Sequence, residues 1–193
     1  MTEQRENRRV LMTKRLMKEA LLELLEQREL VDISVTAICE AADVHRSTFY
    51  KYYRNQADLL RDLEQEYLDQ IPMPPQDSRQ WSEEQLLDET TAFFDFVKRN
   101  ERAFGVLLGE STSSDFAARL IDLLHTKYTE PDEDAKNTAP YYAQLYVANG
   151  SVGMLREWVN TCFPVSSREM AEMMYRFSLA VVPDLHRSNR RNQ

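Results

Sequence analysis

The chain has 193 residues, of which 42% are hydrophobic, so it can hold one or two small domains with an ordinary globular core. No apolar run approaches the roughly 18 residues that a membrane-spanning helix needs, and no signal-peptide pattern follows Met1, so we expect a cytoplasmic protein. The net charge of −8 belongs to residues 63–193, since residues 1–62 carry 11 basic and 11 acidic side chains.

The first predicted helix runs from Arg8 or Thr13 to Gln27. Its apolar residues recur at helical spacing, and they are Met17, Ala20, Leu21, Leu24 and Leu25. Residues 1–18 hold six basic and two acidic side chains, a formal charge of +4. Such a segment is either a solvated helix face or part of a phosphate-binding surface, and the motif that follows it favours the second.

Residues 34–60 predict two short helices joined by a tight turn, followed by the start of a third helix. Ser34 is a good N-cap for the first short helix, from Val35 to Ala42, because its hydroxyl can accept from a free backbone amide. Asp43 follows where a chain leaving a helix usually adopts the left-handed conformation, which Asp tolerates. The pattern is that of a helix-turn-helix motif.

The second short helix has the residues that a recognition helix needs. His45 to Thr48 open it with polar side chains, at the end where such a helix meets base edges and phosphates. Phe49 and Tyr53 are four residues apart and therefore form its core side. Tyr50 to Tyr52 fall around the remainder and are candidates for DNA contact.

The run AADVHRSTFYKYYRNQADLL, residues 41–60, resembles the recognition segment of the TetR family of transcriptional regulators, whose usual form is close to A-G-V-S-x-G-T-x-Y-x-H/Y-F-x-x-K-x-x-L. The matching residues are Ala42, Val44, Thr48, Tyr50, Tyr52 and Leu59. Asp43 and Ser47 replace glycines that are usual or frequent there. Gln56 replaces a Lys that often holds a phosphate, so this position keeps a hydrogen-bond donor but loses its charge.

The resemblance spans roughly Thr13 to Tyr67 and implies a DNA-binding surface. Base edges or nearby phosphates would be contacted by Arg46, Ser47 and Thr48, and the sugar-phosphate backbone by the tyrosines and by the helix before the motif. The full predicted set is Thr13, Lys14, Thr36, His45, Arg46, Ser47, Thr48, Tyr50, Lys51, Tyr52 and Gln56.

Asn55 is expected to cap a fourth helix, with Asp58 at its third position. The core face of this helix is Leu59, Leu60, Leu63, Tyr67 and Ile71. The helix ends before a proline cluster at residues 72–75, which is the best domain boundary in the chain. In the resembled family this helix links the DNA-binding head to the ligand-binding body.

The rest of the chain also predicts helices, with no strand pattern and no internal repeat. Capping boxes at Ser82–Gln85 and Ser166–Glu169 begin two of them. The other predicted elements are a short helix over Glu101–Leu108, a helix beginning near Ser114, an acidic exposed loop over Thr129–Pro140 and a long helix over Tyr141–Cys162.

In the TetR family the last two long helices pair with their copies in a dimer, and the segment YYAQLYVANGSVGMLREWVNTCFP is similar to one group of such C-terminal domains. The implied interface residues are Tyr142, Gly150, Gly153, Trp158, Met170, Met174 and Phe177. The alternative is that Trp158 and the methionines fill the core of a single chain.

The family also carries a ligand pocket between its middle helices. The residues that could line it are Phe93, Phe96, Phe104, Phe116, Tyr128 and Tyr146. An aromatic stripe at helical spacing is also what an ordinary core contains, and some family members bind a partner protein in place of a small effector.

Little in the sequence indicates catalysis. Cys39 and Cys162 each lie in an apolar helical pattern, which favours buried, reduced thiols over a redox switch. The three histidines are scattered, with no metal-ligand spacing around them, and nucleophile and phosphate-loop motifs are missing. We therefore expect no enzyme activity, no metal and no cofactor.

The sequence predicts an all-α protein of about nine helices. A three-helix head with a helix-turn-helix motif, joined by a fourth helix to a helical bundle, would occupy residues 8–71, with the recognition motif at 34–53. A linker at 72–80, an effector-binding and dimerisation domain at 81–185 and a polar tail at 186–193 would follow. The implied function is a homodimeric repressor of a near-palindromic DNA operator, released by a small effector. The alternatives are an activator, a regulator controlled by a partner protein, and a helical interaction module without DNA binding.

Overall fold

The computed structural model describes residues 2–72, 82–109, 115–128 and 138–181, without the side chains of residues 2–7 and 125–128. Helices are the only regular secondary structure over these residues, which confirms the predicted fold class. The helices are α1 (Thr2–Leu25), α2 (Val35–Ala41), α3 (Arg46–Tyr52), α4 (Gln56–Gln70), α5 (Glu83–Arg99), α6 (Glu101–Leu107), α7 (Phe116–Tyr128), α8 (Ala139–Asn160) and α9 (Ser167–Val181). None of these described helices is long and apolar enough to cross a membrane.

The chain divides into two compact units. The head unit comprises α1 to α4 together with residues 106–109, and the body unit comprises the described residues within 71–105 and 115–181. Only residue 72 of the predicted linker at 72–80 is among the described residues. The predicted polar tail at 186–193 lies outside them.

In the head unit, α1 packs against α2 and α4, and α2 packs against α3. Its fully buried side chains include Met17, Leu21, Ile38 and Leu59. These residues come from α1, α2 and α4, so the predicted apolar stripes meet in one core.

The first helix is longer at its beginning than predicted. It begins at Thr2, because most of the residues before Thr13 are good helix formers and none of them is Gly or Pro. It ends at Leu25, two residues before the predicted end, and a 3-10 turn at Leu30–Asp32 follows.

Reciprocal capping fixes the beginning of α4. The side chain of Asn55 accepts a hydrogen bond from the Asp58 amide at 2.9 Å, and the Asp58 carboxylate accepts one from the Arg54 amide at 3.1 Å. Both bonds satisfy amides at or beside the helix start.

In the body unit, α5 packs against α9, and α8 packs against both α7 and α9. Both predicted capping boxes are confirmed. The Ser82 hydroxyl accepts from the Gln85 amide at 3.3 Å and the Ser82 amide donates to the Gln85 side chain at 2.9 Å. Ser166 and Glu169 make the equivalent pair of bonds at 3.2 and 2.8 Å.

The long helix α8 begins at Ala139, so the loop predicted over Thr129–Pro140 is wrong at its end. Pro140 lies in the first turn of α8, where a missing amide hydrogen removes no helical bond. Residues 129–137 of the predicted loop lie outside the described residues.

A left-handed turn ends α8, with φ angles of 58° at Cys162 and 60° at Phe163. Their amides donate back to the carbonyls of Val159, at 3.1 Å, and Trp158, at 2.9 Å, which closes the helix end. Because Cys162 lies in this turn, its side chain is exposed and the prediction of burial was wrong, whereas Cys39 is buried as predicted.

Candidate nucleic-acid interface

The turn between α2 and α3 has the conformation that its sequence predicts. Ser34 caps α2 by accepting from the Ala37 amide at 3.1 Å. Asp43 has a φ of 51°, which confirms the left-handed position, and the Val44 amide donates to the Cys39 carbonyl at 2.9 Å. The chain then enters α3 through His45, which stands at the N-cap in extended conformation without a side-chain capping bond.

One face of α3 anchors the helix in the head core. Phe49 is fully buried and Tyr53 is 5% exposed, as predicted, and their ring centroids lie 5.7 Å apart. The side chains that remain exposed are His45, Arg46, Ser47, Tyr50 and Lys51, and those that are half-buried are Thr48 and Tyr52. The helix therefore presents a polar, partly basic and aromatic face to solvent.

A surface hollow between the two short helices brings Thr36 of α2 to the same place as the first residues of α3. Its lining residues are Thr36, Cys39, Glu40, Asp43, Val44, His45 and Arg46. Burial is the main cause that raises the pKa of the Cys39 thiol, and the Glu40 carboxylate adds to it, against the opposing charge of Arg46. The thiol therefore stays protonated at neutral pH.

Cations lie over the tyrosine rings of this face. The Arg46 guanidinium is 5.9 Å from the Tyr50 centroid, and Lys51 Nζ is 5.6 Å from that of Tyr52. Lys14 of α1 also faces these rings, with Nζ 6.0 Å from the Tyr52 centroid and 5.3 Å from that of Tyr53. Two helices thus place positive charge beside the aromatic residues of α3.

The remaining predicted contact residues lie at helix ends or inside α1. The Thr13 hydroxyl donates to the Arg9 carbonyl at 2.9 Å, so this residue lies within α1 and does not cap it. Gln56, the substituted phosphate position, is half-buried at the first residue of α4.

A network that sequence reasoning missed joins α1, α3 and α4. The Tyr53 hydroxyl donates to Asp62 Oδ2 at 2.6 Å, and Lys18 Nζ lies 3.1 Å from the same oxygen and 2.6 Å from Glu66 Oε2. Lys14 Nζ is 3.6 Å from Asp62 Oδ2. Two sequence signals could have indicated it: Tyr53 stands where the family pattern has Phe, and both the lysines and the carboxylates are spaced i, i+4.

In the body unit, the predicted pocket phenylalanines form a buried cluster. The centroid of Phe104 lies 5.9 Å from that of Phe96 and 5.6 Å from that of Phe116, edge to face in both pairs, and Phe93 is also buried. Tyr146 is 68% exposed and lies outside this cluster. The Tyr128 side chain is not among those described.

The residues implied for a dimer interface divide into a group that is exposed or half-buried and a buried pair, Trp158 and Met170. Tyr142 is 54% exposed and Phe177 is 55% exposed. A Cβ added at Gly150 or Gly153 would meet nothing within 4 Å, and Met174 is half-buried.

Trp158 and Met170 correct the prediction, because both are buried within their own chain. The Trp158 centroid lies 5.2 Å from that of Phe94 and 4.7 Å from that of Phe163, and its Nε1 donates to the Val165 carbonyl at 3.0 Å. A side chain that already has these partners cannot anchor a second copy.

The C-terminal part of the chain matches a known family model. Residues 84–179 match the TetR_C_8 family, described as a transcriptional regulator C-terminal region. A comparison with curated protein sequences finds no significant match.

Two solved structures share the fold. One is named dihydroxyacetone kinase operon activator DhaS, and it aligns with a TM-score of 0.58 and 16% identity over 89% of this chain and 96% of that chain. The other is a protein from Syntrophomonas wolfei str. Goettingen assigned to the TetR-family transcriptional regulators, with a TM-score of 0.60 and 19% identity over 88% of this chain and 95% of that chain.

A helix-turn-helix in the head and a regulator-type C-terminal region in the body define a transcriptional regulator. Within that class, the chain belongs to the TetR family.

Proposed function

We propose that this chain binds double-stranded DNA as a cytoplasmic homodimer, at a near-palindromic operator, and represses transcription until a small effector releases it. One observation carries the DNA-binding part: Phe49 and Tyr53 bury one side of α3, while the side with His45, Arg46, Ser47, Tyr50 and Lys51 stays in solvent. That division of faces is what a recognition helix in the major groove requires.

In this proposal, Arg46, Ser47 and Thr48 reach base edges or adjacent phosphates from the beginning of α3. Thr13, Lys14, Thr36, Tyr50, Lys51, Tyr52 and Gln56 would hold the sugar-phosphate backbone and set the register. The support is the placement of Thr36 beside the first residues of α3, together with the cations beside Tyr50 and Tyr52.

The direct test is selection of bound duplexes from random DNA sequences, followed by affinity measurements at several salt concentrations. We expect one preferred near-palindromic site and an affinity that falls steeply with salt, because phosphate contacts release counterions. Failure to retain any duplex at moderate salt would refute DNA binding and favour a helical interaction module.

Two cations at opposite ends of α3 separate base reading from backbone binding. Arg46→Ala should relax preference at one or two base positions, by about 1–3 kcal/mol each, whereas Lys51→Ala should weaken all duplexes similarly and lower the salt slope by about 1. Unchanged preference at every position in Arg46→Ala would remove its base-reading role.

The dimer is proposed to form through α8 and α9. Exposed Tyr142 and Phe177 would lie in the interface, and Gly150 and Gly153 would let the helices approach closely. Phe177→Glu should shift the protein to monomer in sedimentation velocity. Val31→Glu, at a 73% exposed apolar residue of the head, is the matched control and should leave the dimer intact. Equal behaviour of the two variants would exclude this interface.

The effector site is proposed at the buried cluster of Phe93, Phe96, Phe104 and Phe116, whose apolar rings would line it. A compound that releases the operator should lose its effect in Phe96→Ala while DNA binding without the compound persists. Release that is unaltered in this variant would place the effector elsewhere.

Activation is the second candidate function, because a protein of this fold is named as an operon activator. Position relative to the promoter distinguishes the two. A selected site that overlaps the promoter, with higher reporter expression on deletion of the regulator, supports repression; a site upstream of it, with lower expression on deletion, supports activation.

A further inference from the structure

Lys14 has two kinds of neighbour in the head unit. Its Nζ lies 3.6 Å from Asp62 Oδ2 on α4, and it faces the rings of Tyr52 and Tyr53 at 6.0 and 5.3 Å. Its side chain is 34% exposed, so the ammonium group also meets solvent beside the recognition helix. The same charge is thus within reach of a protein carboxylate and of anything that binds at the end of α3.

Asp62 does not depend on Lys14 for its partners. Its carboxylate accepts from the Tyr53 hydroxyl at 2.6 Å and pairs with Lys18 Nζ at 3.1 Å, and Lys18 is only 11% exposed. Lys18 also donates to the Asp62 carbonyl at 3.2 Å and to Glu66 at 2.6 Å. The contact from Lys14 is therefore the longest of those at the Asp62 carboxylate, and Lys14 is the most exposed of the three partners. Breaking this contact should cost the least free energy.

We propose that Asp62 restrains Lys14 and competes with a DNA phosphate for it, so that this carboxylate lowers the affinity of the protein for DNA. The proposal rests on the proposed DNA-binding function. On binding, Lys14 exchanges the Asp62 carboxylate for a phosphate, while Lys18 and Tyr53 keep Asp62 satisfied. Asp62 is a positioning residue, since it acts on DNA through Lys14.

Asp62 is ionised at neutral pH, as the restraint requires. Burial raises the pKa of this carboxyl, but the hydrogen bonds from Tyr53 and Lys18 and the charges of Lys18 and Lys14 outweigh it, and the pKa lies below its usual value. The expected effect is modest, because ion pairs between partly exposed groups contribute little: removing the charge should tighten DNA binding about two- to five-fold.

The experiment measures the affinity of the full-length dimer for its best selected duplex in wild type, Asp62→Asn, Lys14→Gln and the double variant. Asp69→Asn is the matched control, because it makes the same change on the same helix, about 10 Å further along, where the carboxylate accepts a hydrogen bond from the Gln65 side chain. Asparagine keeps an oxygen for the Tyr53 hydroxyl. Thermal unfolding of each variant is recorded beside its affinity.

Asp62→Asn should bind DNA more tightly than both wild type and Asp69→Asn, although it is less stable to heat. A purely structural role predicts weaker binding together with lower stability, which is the opposite sign. In the Lys14→Gln background the gain from Asp62→Asn should fall to that of the control, because the competing cation is gone.

Weaker or unchanged binding in Asp62→Asn, or the same gain with and without Lys14, would overturn the proposal. If wild type binds no duplex, it is the proposed function that fails. If Asp62→Asn does not fold, the carboxyl carbon of Asp62 is followed by NMR in wild type during DNA titration; a shift is expected when Lys14 leaves, and an unchanged signal on a bound duplex contradicts the exchange.

Discussion

Tyr53→Phe removes one oxygen atom from a buried side chain of the head unit. The side chain is 5% exposed, and the remaining ring can keep its contact with Phe49, whose centroid is 5.7 Å away. The change therefore deletes the 2.6 Å hydrogen bond to Asp62 with little change in packing, and it restores the residue that is usual in the family pattern.

A hydrogen bond to a charged group contributes about 1.5–3 kcal/mol to folding stability. The Asp62 side chain is 37% exposed and keeps Lys18 at 3.1 Å, so water and the lysine replace part of what is lost. We expect Tyr53→Phe to lower the free energy of unfolding by about 1–1.5 kcal/mol at neutral pH, at or just below the lower limit of that range.

The loss should depend on pH, and its sign follows from the Asp62 carboxyl. Although burial acts to raise its pKa, hydrogen bonds from Tyr53 and Lys18 and the lysine charges hold the pKa in the folded state below the ordinary value of 3.8. The stabilisation by the ionised group is therefore present above that ordinary value and is lost as the pH falls through the lower folded pKa. The difference between wild type and Tyr53→Phe should shrink below about pH 4.

The measurement is urea unfolding followed by far-UV circular dichroism between pH 7 and 3, with amide hydrogen exchange in α3 and α4. Tryptophan fluorescence would not report it, because residues 1–70 contain no tryptophan. Tyr50→Phe is the matched control, since Tyr50 is 52% exposed, and it should change stability by less than about 0.5 kcal/mol. Equal losses in the two variants, or a loss in Tyr53→Phe that is constant down to pH 3, would refute the reasoning.

Three further changes test other parts of the molecule. Asp43→Gly, at a φ of 51°, should change the free energy of unfolding by less than about 1 kcal/mol, whereas Asp43→Val should lose about 1–2 kcal/mol in the same urea assay; equal stabilities would argue against the left-handed turn. Gln56→Lys should steepen the salt dependence of DNA binding by about 0.9 in log–log slope, and an unchanged slope would exclude this position from phosphate contact. Trp158→Ala should cost about 3–5 kcal/mol of stability by circular dichroism, because it leaves a cavity beside Phe94 and orphans the Val165 carbonyl; a cost under about 1 kcal/mol would mean that the core closes around the gap.

Features that depend on a few neighbouring residues were predictable from the sequence. The Ser34 cap, the left-handed Asp43 and the capping boxes at Ser82 and Ser166 are all interactions across at most four residues. The buried side of α3 also followed from spacing alone, because Phe49 and Tyr53 are one helical turn apart. Together with the resemblance of residues 41–60 to the TetR recognition segment, these features predicted the fold class and the family.

Helix ends were less predictable, since they depend on what the chain meets next. The sequence predicted that the first helix ends at Gln27, whereas α1 ends at Leu25. It predicted that the long helix begins at Tyr141, whereas α8 begins at Ala139. Residues at such ends have similar free energies inside and outside the helix, so the end shifts easily by one or two residues.

Tertiary packing decided which helices face one another, and periodicity does not carry that information. Lys18 and Glu66 are 48 residues apart, and the network at Asp62 exists only because α1 and α4 pack side by side. In the same way, the pattern of α8 identified Trp158 as an apolar residue, but only the packed body unit places it against Phe94 in its own chain and leaves Tyr142 in solvent. Spacing along a helix determines which side chains share a face, while the partner of that face is set by contacts between distant segments.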